Sequence, residues 1–465
     1  MDAAVVSLGG IVIALGLLMA LTYRGWSLIW LAPALAALAV GWSVDTRLLA
    51  HVTQVYMPAL GGFVVSFFPL FVLGALFGQL MQRSGAADAV AQGLSRHLGP
   101  NWAVLAVVLA CALLTAGGVS LFVVAFACYP MALALFRQAQ IPRRLIPGAI
   151  ALGAFTFTMT ALPGTPSIQN AIPMAYFGST LFAAPGLGLL ASAVMLGAGL
   201  WWMAYRVRQA QAAGEHFVAR ADDPEPDTTR RLPSIAMALL PALTVVVSNG
   251  WLSRDVVPHW DGAYLALPQF GATTLAALQG MWSLILALLL GLLVQALQLW
   301  RTPSVLVQGL NTGAREAVLP LLNTASLVGF GAVVATLPGF AWLRDMAQQL
   351  SGDDPLLSIA IAVNVLAGIT GSASGGMSIA LQTMGAQWLQ QAQAAGISPD
   401  LLHRVTVIAT GGLDALPHNG AVVTLLGICG VTHRESYLDI LVVAVLAPLL
   451  ALALVIALGG RFGAF

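Results

Sequence analysis

Apolar residues along this chain come in runs of about 20, separated by short polar or arginine-bearing segments; that is the length a helix needs to cross the hydrocarbon core of a bilayer. Eight such runs are clear, at about 4–22, 26–42, 57–82, 185–205, 234–251, 278–299, 317–336 and 437–459. The pattern predicts an all-α polytopic membrane protein. Four further apolar regions are interrupted in their middles. Residues 101–136 contain Gly117-Gly118-Val119-Ser120, and residues 146–177 contain Ala161-Leu162-Pro163-Gly164-Thr165-Pro166-Ser167-Ile168-Gln169-Asn170. Residues 355–392 contain Gly371-Ser372-Ala373-Ser374-Gly375-Gly376-Met377-Ser378, and residues 401–430 contain Leu413-Asp414-Ala415-Leu416-Pro417-His418-Asn419-Gly420.

The four interrupted regions form two pairs. Gly117-Gly118-Val119-Ser120 matches Gly375-Gly376-Met377-Ser378, Ala161-Leu162-Pro163 matches Ala415-Leu416-Pro417, and upstream Phe68-Pro69-Leu70 matches Leu319-Pro320-Leu321. The separations agree: Pro69 to Pro320 is 251 positions, Gly118 to Gly376 is 258 and Pro163 to Pro417 is 254. Three short matches in one order at nearly one offset predict an internal repeat. The expected organisation is an N-terminal transmembrane helix (1–25), a first repeat (26–205), a cytoplasmic linker with an extra transmembrane helix and a periplasmic loop (206–277), and a second repeat (278–465).

Arginines set the expected orientation. Each Gly-Gly region is taken as a re-entrant hairpin that enters and leaves on one side, and each Ala-Leu-Pro region as a broken helix that crosses once. Traced from a periplasmic N-terminus, 14 arginines then face the cytoplasm, and 5 (Arg47, Arg254, Arg344, Arg404, Arg461) face the other side. The count is the same if each hairpin crosses twice, because the tips hold no arginine. The trace makes the two repeats antiparallel, that is, inverted.

Composition agrees with the class. Apolar residues are 59% of the chain and charged residues 8%, against roughly 25% in soluble domains. A net charge of +1 gives no bulk attraction to nucleic acid. Cys111, Cys128 and Cys429 lie in apolar runs without a C-x-x-C pair and read as buried apolar residues. No charged n-region or cleavage site precedes the first run, so it reads as a retained span. The chain lacks H-E-x-x-H, G-x-S-x-G and G-x-x-x-x-G-K-[ST], which argues against an intramembrane enzyme and against direct ATP coupling. No metal or cofactor is expected.

Non-helical backbone survives at bilayer depth only where it is buried in protein or lines a wet cavity. Proline removes a backbone donor and glycine permits turns. Paired interruptions in two halves therefore point to a transporter's binding site, and freed helix N-termini suit an anion. The candidate substrate-binding residues are Gly117, Gly118, Ser120, Thr165, Ser167, Asn170, Gly375, Gly376, Ser378, His418 and Asn419. Small residues at these places also serve close helix packing. Asp414 and His418 are the candidates for carrying a proton, since ionisable groups within spans are costly; Asp414 reads equally as a cap on the broken helix. Glu316, beside Arg315, reads as an interfacial charge at a span's start, and His97, His403 and His433 as solvated loop residues. Residues 85–98, and 340–350 with Trp342, Arg344 and Asp345, read as amphipathic interfacial helices or as ordinary connecting loops.

The segments Ala161 to Pro173 and Leu416 to Leu426 resemble those of the gluconate permease (GntP) family, within a wider ion-transporter superfamily, and the resemblance covers nearly the whole chain. It lies nearer the hydroxybutyrate-permease-like branch than sugar-acid permeases proper. The family implies import of a small hydroxy-acid carboxylate, gluconate- or 3-hydroxybutyrate-like, with protons across a bacterial inner membrane. The superfamily implies scaffold and transport domains, an elevator motion and a homodimer. Sodium-coupled relatives carry Ser-Asn-Thr at the hairpin tips, where this chain has Gly-Gly-Val-Ser and Gly-Gly-Met-Ser. A sodium-coupled di- or tricarboxylate symporter and an anion channel are the alternatives.

Overall fold

The computed structural model describes residues 3–24, 26–43, 47–119, 121–220, 232–340, 354–417 and 419–465. Ser120, His418 and the segment holding Trp342, Arg344 and Asp345 lie outside the described residues. Within them every regular element is helical. In chain order these are α1 (Ala3–Tyr23), α2 (Leu28–Trp42), α3 (Leu48–Arg83), α4 (Ala86–Leu98), α5 (Ala103–Ala116), α6 (Leu121–Gln138), α7 (Ile146–Ala154), α8 (Phe157–Thr160) and α9 (Ile168–Phe177). There follow α10 (Pro185–Ala212), α11 (Ile235–Trp251), α12 (Leu275–Gln298), α13 (Pro303–Ala335), α14 (Pro355–Thr370), α15 (Ala373–Ala394), α16 (Pro399–Thr410), α17 (Gly420–Cys429) and α18 (His433–Phe462).

Seven described helices are long and apolar enough to cross a bilayer: α1, α3, α10, α11 with the turns that continue it to His259, α12, α13 and α18. Helix α2 has 15 residues, about 22 Å at 1.5 Å per residue, which is short of the hydrocarbon thickness. On α12, Leu289, Leu293 and Leu297 repeat every four residues along one exposed stripe. Such a stripe is costly in water and at home against acyl chains. The long helices α3 and α13 pack to backbone contact: a Cβ on Gly313 would stand 2.8 Å from the Leu76 Cα. Helices α1 and α2 seat on α13 through Ile11, Leu18, Leu31 and Leu35 against Phe330 and Val333.

Because α13 begins at Pro303, Arg315 and Glu316 lie well inside a helix and not at a span's start. Glu316 there accepts a hydrogen bond from Gln79 Nε2 on α3 at 2.6 Å. The amphipathic segment at 85–98 is the helix α4, turned 110° from the helix that follows, with His97 in its last turn. At the end holding the Arg143–Leu145 turn, Asp439 is fully buried beside Arg206 (2.7 Å) and Trp202 Nε1 (3.0 Å), and Arg144 pairs with Glu215 at 2.8 Å. The three cysteines are buried and unbridged.

All four interrupted regions break their helices. Helix α5 ends in a Schellman motif: Gly118 sits at φ +87°, Val119 N–H donates to Leu114 O at 3.0 Å and Gly118 N–H to Thr115 O at 2.9 Å. The chain over 146–177 is helical in α7 and α8, irregular from Ala161, and helical again where Ser167 caps α9. Helix α16 gives way to Gly411, Gly412 and a short 3-10 turn, Leu413–Ala415, before Asn419 caps α17.

One break is displaced from its expected place. Between α14 and α15 the chain turns at Gly371, φ +60°, and Ser372, whose hydroxyl accepts the Gly375 N–H at 3.1 Å. Gly375 and Gly376 therefore lie in the first turn of α15. A Cβ on Gly376 would collide with the Ala367 backbone of α14. This Gly-Gly pair lets two helices touch, and Gly371 makes the turn.

Candidate functional site

The four breaks touch one another. A Cβ on Gly118 would stand 3.1 Å from Pro166 Cγ, so the α5–α6 tip lies on the break between α8 and α9. A Cβ on Gly411 would stand 3.1 Å from Thr160 Oγ1, so the two broken helices cross where α8 and α16 end. Asn364 of α14 reaches the second break: its Oδ1 accepts the Leu413 N–H at 3.3 Å, and only a glycine at 412 leaves room for it. Asn419 closes the set by donating from Nδ2 to Gly371 O at 2.9 Å and to Asp414 O at 2.5 Å.

The two asparagines are spent on the protein. Asn419 Oδ1 accepts the N–H groups of Ala421 and Val422 at 2.6 and 3.3 Å, as an N-cap. Asn170 Nδ2 donates to Thr165 O and Leu181 O at 3.0 and 3.2 Å. Ser167 likewise caps α9 through Asn170 N–H at 3.3 Å while its own hydroxyl donates to Met159 O at 2.8 Å. These three residues hold the breaks open, and none has a donor or acceptor conspicuously free. Gly117, Gly375 and Gly376 pack against Ala242, Leu327 and Ala367; they are contact positions between helices.

Other polar atoms, at the breaks and at Ser378 in the second turn of α15, have no partner among the described residues. Thr115 Oγ1, Thr165 Oγ1, Ser378 Oγ and Asp414 Oδ1 are buried without a hydrogen bond. Their residues are 7, 2, 0 and 7% exposed. Three of these atoms are hydroxyl oxygens and the fourth a carboxylate oxygen; a buried polar atom left unpaired costs on the order of 1–3 kcal/mol, so each calls for an explanation. The backbone N–H groups of Asp414 and Ala415 turn toward the Asp414 carboxyl, which makes it in part a cap on its 3-10 turn.

Two residues read as loop from the sequence belong to this core. His403 and Arg404 are both 0% exposed, in the second turn of α16. They reach across to the first half. His403 Nε2 lies 3.0 Å from Asn170 Oδ1 and its Nδ1 lies 2.6 Å from Ser179 Oγ. Arg404 donates to Ala161 O at 3.1 Å, to Leu181 O at 3.3 Å and twice to Ala183 O, at 2.6 and 2.9 Å. It satisfies carbonyls that the broken helix leaves open, and it drops out of the loop-arginine count. Ser398-Pro399-Asp400 was the available signal: a capping serine, a proline at the first helical position and an acidic residue start a helix there.

Comparison with known proteins fits this architecture. The model for the GntP family permease matches residues 5–413. An uncharacterized transporter of Bacillus subtilis (strain 168), YxjC, is 42% identical over 455 residues, which cover 94% of this chain and 95% of that protein. Among solved structures, the YdaH transporter of Alcanivorax borkumensis aligns with a TM-score of 0.58 over 90% of each chain at 16% identity. Neisseria gonorrhoeae MtrF, described with a class of antimetabolite efflux pumps, aligns with a TM-score of 0.54 over 89% of this chain and 84% of its own at 11% identity. Those two share the fold. Matched over most of its length by one family's model, and with seven helices fit to span a bilayer, this chain is a multi-pass membrane transporter that belongs to the GntP permease family.

Proposed function

We propose that the protein imports a small organic carboxylate, gluconate- or 3-hydroxybutyrate-like, together with protons. The supporting observation is the set of unpartnered buried oxygens at Thr115, Thr165, Ser378 and Asp414. Three hydroxyls offer donors to a carboxylate at low dielectric, where such bonds are strong. The sequence segments that resemble hydroxy-acid permeases supply the substrate class. A proton taken up by an ionisable group at the breaks offsets the charge of the anion; Asp414 and His418 are the nominees from the sequence.

In this reading residues 26–205 and 278–465 are inverted repeats, each with one hairpin and one broken helix. The hairpins and broken helices move as a transport domain against a scaffold containing α3 and α13, in an elevator motion, within a homodimer of the bacterial inner membrane with its N-terminus periplasmic. Purified protein in liposomes should accumulate labelled gluconate, 3-hydroxybutyrate, lactate or citrate when the outside is acidified. Uptake that ignores pH and follows sodium would replace the proton by sodium. Flux far above carrier rates, without counterflow, would make it a channel.

A further inference from the structure

We infer that His403 carries the coupled proton, with Ser179 as its proton-exchange partner and Asn170 as the link to the substrate site. The inference rests on the proton-symport reading and names its carrier.

Hydrogen-bond chemistry fixes the groups around the ring. Asn170 Nδ2 faces the carbonyls of Thr165 and Leu181, so its Oδ1, an acceptor only, faces His403. His403 Nε2 must therefore carry a hydrogen in every state. At Nδ1 the neighbour is the Ser179 hydroxyl, at 2.6 Å, which donates to a neutral ring and accepts from a charged one. The imidazole can gain or lose one proton at Nδ1 while both of its hydrogen bonds persist. Asp414, whose carboxyl is partly held by backbone N–H groups of its own turn, lacks such a reversible partner.

The charges nearby supply the coupling. On α16 itself the charged neighbours of His403 are Asp400, three residues before it, and Arg404, the next residue. Across the interface, residues 161–190, α14 and α15 contain no charged side chain. On α18, Gly459 packs on Leu401, and the nearby Arg461 is exposed. Among the described residues Arg404 forms no ion pair; Asp400, one turn earlier, is the carboxylate that acts on its charge, and its hydrogen bonds go to carbonyl oxygens. Arg404 opposes a second positive charge at His403, Asp400 offsets Arg404 in part, and a bound anion relieves the rest. Asn170 also holds the backbone of Thr165, whose own hydroxyl is free, so the anion site is one residue away. Anion binding then raises proton affinity, and by linkage the proton raises anion affinity.

The test uses the full chain in liposomes and whichever of gluconate, 3-hydroxybutyrate, lactate and citrate the wild type accumulates. His403→Gln keeps a donor and an acceptor at the site but does not titrate. We expect accumulation driven by an acid exterior to fall at least tenfold and its dependence on external pH to flatten, with counterflow reduced less. A wild-type pH profile in His403→Gln overturns the inference. If that variant yields no folded protein, Ser179→Ala decides: a shifted pH midpoint for uptake supports the proposal and an unshifted one overturns it. Wild-type uptake indifferent to pH would instead refute the proton-symport reading beneath it.

Discussion

Asn419 donates from Nδ2 to the Gly371 carbonyl at 2.9 Å, so the break between α16 and α17 is tied to the turn between α14 and α15. The same amide caps α17 with its oxygen. In the other half Asn170, three residues past the capping Ser167, joins its break to the segment at Leu181 and to α16. The irregular stretches before α9 and α17 thus each have peptide groups answered by an asparagine, as buried backbone outside a helix requires.

Asn419→Ala should therefore lose a cap and a tie together. Removing both exposes buried groups worth about 1–3 kcal/mol. The expected result is a lower melting temperature in detergent and uptake reduced at least tenfold. An unchanged melting temperature would show that the tie carries no stability.

Ser378→Ala and Thr165→Val should behave in the opposite way. Neither hydroxyl has a partner among the described residues, and replacing an unpaired buried polar group by an apolar one is neutral or stabilising. Melting temperature should stay level or rise while KM for uptake rises about tenfold or more, the ~1.5 kcal/mol or more of one lost hydrogen bond to a charged group. A fall in stability with KM unchanged would mean that these hydroxyls serve the fold.

Gly118→Ala probes the first tip. The residue holds φ +87°, a region that costs an alanine roughly 1–2 kcal/mol, and the added methyl meets Pro166 Cγ at 3.1 Å. Uptake should fall sharply. Gly427→Ala, on α17 with open space around its Cβ position, should leave uptake near wild type. Equal effects from the two would remove the special role of the tip.

Outside the spans, Arg144 holds the Glu215 carboxyl below its ordinary 4.5. A carboxyl lowered in the folded state adds stability above that pH and stops adding it as pH falls through the lowered value. The pair is partly exposed, so the contribution is about 0–1 kcal/mol. Glu215→Gln should melt slightly below wild type at neutral pH, with the gap closing in acid below 4.5. A gap that widens in acid contradicts this sign.

The sequence exposed what glycine, proline and long apolar runs report. Gly118, Pro163 and the 413–420 stretch stand out because an uninterrupted apolar helix has no use for them. It misplaced the second hairpin's turn because Gly375-Gly376 resembles Gly117-Gly118 in letters while doing a different job; in a single chain, a glycine for close packing and a glycine for a turn look alike. His403 and Arg404 were hidden for another reason. Polar residues at a run's edge look solvated, and their partners, Asn170, Ser179 and the carbonyls of Ala161 and Ala183, lie more than 200 positions away. Only folding brings the second half's helix onto the first half's break.

The most direct test is a cryo-EM map of the protein in lipid with the carboxylate it accumulates. The account predicts density for that anion between the four breaks, within hydrogen-bond distance of Thr165 Oγ1 and Ser378 Oγ. Anion density bound elsewhere, with those hydroxyls still unpartnered, would contradict it.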